Sequence, residues 1–114
     1  MKDKKFDVIT FGRSSIDLYS QDVGTPFNDI SGFDAFVGGS PLNIAVALAR
    51  LGSNASLLTA VGNDKVGEFI VNFLNKENVN THCIPVKNTA RSSAVVLGIE
   101  PPNKFPLVYY RDHA

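Results

Sequence analysis

Phe33-Asp34-Ala35-Phe36-Val37-Gly38-Gly39-Ser40-Pro41-Leu42-Asn43 leads from an extended segment, through two glycines, into the nearly uncharged run Ile44 to Leu51 and then Gly52. Phe33 to Val37 reads as a short strand. Ser40 suits a helix N-cap, Pro41 the first helical position, and Gly52 the position just past the end. Arg50 is the only charge between them, so the helix over 41–51 is expected to be covered on most sides. Paired glycines let backbone approach a ligand closely and adopt positive φ without a Cβ clash. The helix start beyond them offers unpaired N–H groups suited to hydroxyl or anionic oxygens, and Asn43 adds a donor and an acceptor. The same junction serves equally as a glycine turn before a capped core helix, with Asn43 completing the cap. It is no phosphate-binding P-loop, because no Lys-Ser or Lys-Thr follows. Nor is it a dinucleotide fingerprint, since G-x-G-x-x-G is absent both here and after the first strand.

Outward from this junction, strands and helices alternate. Phe6 to Gly12 is β-rich and apolar apart from Asp7 and Thr10, the pattern of an interior strand. Ile16 to Ser20 is a second extended segment, and Gln21 to Ser31, with Gly24, Pro26, Asn28 and Asp29, is a loop. Beyond Gly52, Ser56 to Val61 reads as another interior strand. A second helix is predicted from an Asp64 N-cap, with Val66, Phe69, Ile70, Phe73 and Leu74 on one face and Asn78 or Asn80 ending it in a left-handed turn. Cys83 to Val86, Ser92 to Ile99 and Leu107 to Arg111 are β-like, and Pro101-Pro102-Asn103-Lys104 is a turn. The alternation predicts an α/β fold with right-handed crossovers. The extra strands near 16–37 and 81–111 predict a small β-layer standing off the main sheet.

Composition bounds the function. A chain of 114 residues is one domain at most, long enough to bury a real core. Its 11 basic and 11 acidic side chains cancel, and a nucleic-acid binder would need a basic excess. The single cysteine, Cys83, excludes an internal disulfide and suits a reducing compartment. The longest unbroken apolar run, Ile44 to Ala49, is far too short to span a bilayer, and the charged start Met1 to Lys5 precedes no long apolar stretch. A cytoplasmic domain without membrane or nucleic-acid partners is expected. His82 and His113 lack metal-ligand spacing, so no metal site is expected from them. Cys83 reads as a small core hydrophobe, Asn54-Ala55-Ser56 as a glycosylation pattern without secretory context, and Lys2, Lys4 and Lys5 as a solvated terminus.

Spacing adds a resemblance. GGSPLNIAVALARLGSNASLLTAVG (38–62), with Gly38-Gly39, Asn43, Ala45, Gly52 and Gly62 at their intervals, resembles the first signature of the ribokinase-like (PfkB) family of carbohydrate kinases. Val61-Gly62-Asn63-Asp64-Lys65-Val66-Gly67 is similar to the family motif that opens its second main helix. GRSSIDLYS (12–20), FVGGSPLNIA (36–45) and YYRDHA (109–114) resemble the members that act on keto-deoxy sugar acids.

The resemblance implies a ribokinase-like three-layer sandwich with a small β-strand lid. Residues 1–114 would be the N-terminal portion of one kinase domain. It implies substrate-binding roles for Asp17, toward sugar hydroxyls, and for Gly39 and Asn43 in the same pocket. A carboxylate, an amide and open backbone N–H groups discriminate a polyol better than an apolar wall could. Tyr109 and Arg111 match the pair that meets the acidic end of keto-sugar-acid substrates, where a guanidinium fork suits a carboxylate. Arg13 is a further candidate there, and equally an ordinary partner for a nearby acid. Taken alone, Asp17 also fits a turn or a solvated strand edge, and Arg111 an exposed strand.

The resemblance also implies ATP and Mg, and a homodimer through the lid. The family's catalytic aspartate lies in a C-terminal glycine-rich motif that does not occur here, so no catalytic residue is expected in these 114 residues. The expected function is therefore the sugar-binding segment of an ATP-dependent carbohydrate kinase. The alternatives are a 2-keto-3-deoxygluconate kinase, fructokinase or ribokinase of the same family, or a non-catalytic sugar-binding or dimerising module.

Overall fold

A computed structural model describes residues 5–100 and 104–112. Lys2, Lys4, the turn residues Pro101 to Asn103, and His113 lie outside the described residues. Strand β1 (Val8–Phe11) leads to β2 (Ser15–Ser20), and a loop with one 3-10 turn at Phe27–Asp29 leads to β3 (Phe33–Gly38). Helix α1 (Ser40–Arg50), β4 (Ala55–Leu58), β5 (Val61–Gly62) and helix α2 (Lys65–Lys76) follow, then β6 (Val86–Lys87), β7 (Ser93–Leu97) and β8 (Leu107–Tyr110).

The architecture is α/β, with sheets both parallel and mixed. β1 and β4 pair in parallel, Val8 opposite Ala55 and Phe11 opposite Leu58. The core joins Leu42, Ala45 and Val46 of α1, Ala55 and Leu57 of β4, Ile70 and Leu74 of α2, and Val61 and Val79. β5 and β6 form a second parallel pair. The remaining strands form a four-stranded sheet in the order β3-β2-β7-β8, with β2 antiparallel to β3 and parallel to β7. Within 81–111 that sheet takes Ser93–Leu97 and Leu107–Tyr110, while Val86–Lys87 pairs with β5.

Several local expectations are corrected. β1 is not covered on both faces: Ile9 is 53% and Phe11 78% exposed, because α1 packs on one face and alternate strand residues point away from it. α1 is likewise covered on one side only. Leu42, Ala45 and Val46 recur at helical spacing and are buried, whereas Ile44 is exposed. Gly39, at φ 105°, takes the N-cap position in place of Ser40, which lies in the first turn with Pro41, and no side chain caps this end. Gly52, at φ 96°, follows the helix as expected.

Ser56 to Val61 is not one strand. The run is continuous in hydropathy but changes partner, β4 pairing with β1 and β5 with β6, and the chain breaks at Thr59-Ala60 between them. Cys83 lies in a turn, half-buried, rather than in a strand. The ends of α2 are as expected: Asp64 caps it, and Asn78, at φ 61°, ends it, with Val79 N–H donating to the Leu74 carbonyl at 3.0 Å. Of its expected packed face, Ile70 and Leu74 are buried and Val66 and Phe73 pack on the core, whereas Phe69 is 38% exposed. Arg50, at the end of α1, holds Glu77, at the end of α2, through Nε–Oε1 and Nη2–Oε2 bonds of 2.7 Å each. The ion pair lowers the Glu77 pKa and raises that of Arg50, chiefly through these side-chain hydrogen bonds.

Candidate functional site

The register of the four-stranded sheet decides which side chains share a face. Asp17 stands opposite Phe36 on β3 and Val95 on β7, and Val95 opposite Tyr109 on β8. Directly opposed residues project from one side, so Asp17, Val95 and Tyr109 form one row. The next row, Ala35, Leu18, Val96 and Val108, projects from the other side. The first row lines a pocket of about 570 Å³ between the sheet and the start of α1. Arg13, Asp17, Gly39, Asn43, Tyr109 and Arg111 all line it. Residues from three separate stretches of sequence thus converge on one volume, within the usual range of small-molecule sites, roughly 300–1,000 Å³.

The carboxylate of Asp17 is held locally. Ser15 Oγ donates to Asp17 Oδ1 at 2.6 Å, two residues earlier on the same strand face. Gly38 pairs with Ser15 across β2 and β3, and a Cβ on Gly38 would land on the Asp17 carboxylate. Glycine there leaves the space that the carboxylate fills. At Gly39 the demand is on the backbone: its φ of 105° disfavours any side chain, and a Cβ would meet the Arg13 carbonyl oxygen. The uncapped start of α1 then forms the pocket wall through Gly39, Ser40, Pro41 and Asn43. Asn43 N–H is already committed to the Gly39 carbonyl at 2.9 Å, so its exposed side chain is the group it brings to the pocket.

Arg111 follows β8 with its guanidinium carbon 4.1 Å from the centre of the Tyr109 ring. This cation–π stack holds the planar fork beside the pocket while leaving its N–H groups free to point outward. Arg13 lies between β1 and β2 and is exposed. The lining therefore carries two guanidinium groups against one carboxylate. In a chain with no net charge, this local excess favours an anionic ligand bearing hydroxyls. Two guanidinium groups on the same lining disfavour a divalent cation there. Among the described residues no three His, Cys, Asp or Glu side chains group as metal ligands.

A second cleft, about 660 Å³, runs along α2 from Val61 to Val86 and includes Asp64. Its acid is occupied by structure. Asp64 Oδ1 accepts from Gly67 N and from Ser92 Oγ, both at 2.7 Å, and Oδ2 from Ser92 N at 3.0 Å. Burial pushes the Asp64 pKa up, but the hydrogen bonds from Ser92 and Gly67 outweigh it and hold the carboxyl below 3.8. Ser92 Oγ also accepts from Gly62 N at 2.9 Å. Asp64 thus ties the first turn of α2 to the residue just before β7, where the chain enters the pocket sheet.

Sequence reasoning missed Ser15 and Ser92, and it read Gly38 only as half of a ligand-approaching glycine pair, not as the space for the Asp17 carboxylate. A hydroxyl two residues before Asp17 on a strand was a local signal for Ser15. The partners of Gly38 and Ser92, Asp17 and Asp64, are distant in sequence, so neither contact had a local signal.

A family model described as pfkB family carbohydrate kinase matches residues 5–114. A 5-dehydro-2-deoxygluconokinase of Photobacterium profundum is 33% identical over 113 residues, covering 99% of this chain and 34% of that protein. One from Clostridium perfringens is 36% identical over 110 residues, covering 96% of this chain and 32% of that protein. The chain spans about a third of the length of these curated relatives. Among solved structures, a 2-dehydro-3-deoxygluconokinase from Thermotoga maritima superposes with a TM-score of 0.85 at 29% identity, covering 94% of this chain and 32% of that one. An uncharacterized sugar kinase from Pyrococcus horikoshii in complex with ATP gives a TM-score of 0.86 at 33% identity, covering 94% and 35%. The fold is ribokinase-like.

Proposed function

The chain belongs to the pfkB family of carbohydrate kinases, and we propose that it forms the sugar-binding, N-terminal portion of one ATP-dependent kinase domain. Its substrate is a keto-deoxy sugar acid such as 5-dehydro-2-deoxygluconate. The observation that carries this reading is the pocket lining, with the fork of Arg111 and the cation of Arg13 facing the same volume as Asp17 and Asn43. In this role Arg111, steadied by Tyr109, binds the substrate carboxylate, while Asp17 and Asn43 bind sugar hydroxyls. Gly39 lets the start of α1 come close to the substrate.

When bound, ATP would supply the γ-phosphoryl group and leave as ADP, while the proton of the accepting sugar hydroxyl would pass to the catalytic base. The residues of this chain bind and orient the acceptor. Nucleotide, Mg and the catalytic base are assigned to no residue of this chain. ATP dependence and the lone cysteine suit the cytoplasm.

Arg111→Met in the complete enzyme tests the substrate class. It is expected to lower kcat/KM for 5-dehydro-2-deoxygluconate and 2-dehydro-3-deoxygluconate by about a hundredfold, the effect of losing a charge-assisted bidentate contact, while fructose is affected less than threefold. An equal loss on all three substrates removes the acid reading. One observation favours a second reading, a kinase of a neutral ketose: the Tyr109 stack satisfies the guanidinium face without any anion. Fructose as the best substrate in the same assay would establish it.

The strands β2, β3, β7 and β8 are read as the lid. Its outer row, Leu18, Val96 and Val108, is apolar, which supports contact between two copies through the lid. Sedimentation velocity is expected to show a dimer that Val96→Asp converts to monomer, because a charge buried in such an interface is left unpaired. An unchanged sedimentation coefficient removes the lid from the interface.

A further inference from the structure

Ser15 is almost fully covered, at 8% exposure, yet it belongs to the pocket lining. A covered hydroxyl needs a partner, and the one it has is the acid assigned to the sugar hydroxyls, through the 2.6 Å bond to Asp17 Oδ1. That length is typical of a hydroxyl donating to a charged carboxylate, among the stronger hydrogen bonds in proteins. No other hydrogen bond to the Asp17 side chain is present among the described residues. Without Ser15 the carboxylate would be free to turn about its χ angles over the empty face of Gly38.

We propose that Ser15 is a positioning residue for sugar binding: it fixes the rotamer of Asp17 and occupies Oδ1, so that the free lone pairs of the carboxylate meet the sugar hydroxyls in one orientation. Gly38, opposite Ser15 in the register, supplies the space in which that rotamer fits. The proposal rests on the reading of this pocket as the sugar site. Ser15 acts through Asp17 and touches no reacting atom, so its effect falls on binding rather than on the chemical step.

The test is a double-mutant cycle in the complete enzyme, assayed with 5-dehydro-2-deoxygluconate and ATP. Ser15→Ala is expected to raise KM about tenfold, the cost of losing a hydrogen bond to a charged group, with kcat within about twofold. Ser15→Thr, which keeps the hydroxyl, is expected to restore KM to within about threefold of the parent. Should S15A fail to fold, Ser15→Cys, which keeps the volume but donates weakly, carries the same expectation as S15A. Asp17→Ala raises KM on its own, and S15A added to D17A is expected to raise it no further, because the acceptor through which Ser15 acts is already lost.

An unchanged KM in S15A, or an effect that adds in full to that of D17A, overturns the positioning role while leaving the sugar site standing. An unchanged KM in D17A overturns the sugar-site reading and, with it, the role of Ser15.

Discussion

Gly38→Ala is expected to raise the KM for the sugar acid by about a hundredfold, since displacing a positioned group by an ångström costs on this order. The added methyl would occupy the space now filled by the Asp17 carboxylate, driving that side chain out of the place where Ser15 holds it. The fold should survive. Gly38 ends a strand in backbone that any residue can adopt, and the atoms met by the new Cβ belong to the Asp17 side chain. Gly39→Ala is the contrasting case, because its positive φ and the Arg13 carbonyl damage the backbone itself. KM and melting temperature measured together separate the two: Gly38→Ala loses binding with little change in melting, and Gly39→Ala loses both. A Gly38→Ala enzyme with the parent KM would mean that the carboxylate of Asp17 does not contribute from this position.

Asp64→Ala is expected to destabilise the chain by about 2–3 kcal/mol, combining a lost N-cap with the unpaired donors left at Ser92. Asp64→Asn should recover only the cap. Its amide can offer one oxygen to Gly67 but presents N–H groups to the Ser92 N–H. The sign of the pH dependence follows from the lowered carboxyl. A group whose folded pKa lies below its unfolded value of 3.8 contributes stability above that pH and loses it as pH falls through the folded value. Denaturant titrations of parent and Asp64→Ala should therefore differ at pH 7 and converge in acid. A gap that persists at pH 2 would place the effect in packing rather than in the charge.

The sequence was most legible where the determinants are local. The strand, paired glycines and helix around residues 33–52 read correctly because proline, glycine and strand propensity act within a few residues. Asp64 and Asn78 marked the ends of α2 for the same reason. Ser40 was misplaced as the cap because a serine at a helix start outranks a glycine in propensity, whereas the close approach of Arg13 demands a glycine with positive φ at position 39. The break at Thr59-Ala60 was hidden because an apolar run does not reveal that its two ends pair with different strands. The exposed Ile9, Phe11 and Ile44 could not be foreseen, since hydropathy reports what a residue favours and not what covers it. At the pocket, residue types read singly left Asp17 and Arg111 ambiguous. Placing them on one lining took the strand register, a non-local property.

The parallel pairing of β2 with β7 has a consequence for the time course of folding. β2 and β3 are neighbours in the chain and can close early as an antiparallel pair, but β7 arrives only after both helices have been made. Until then β2 presents a bare edge and the pocket has only one of its two walls. High contact order of this kind slows folding and leaves an edge open to wrong partners during synthesis. In refolding, recovery of helical signal should therefore run ahead of recovery of ligand binding, with this pocket among the last features of the chain to exist.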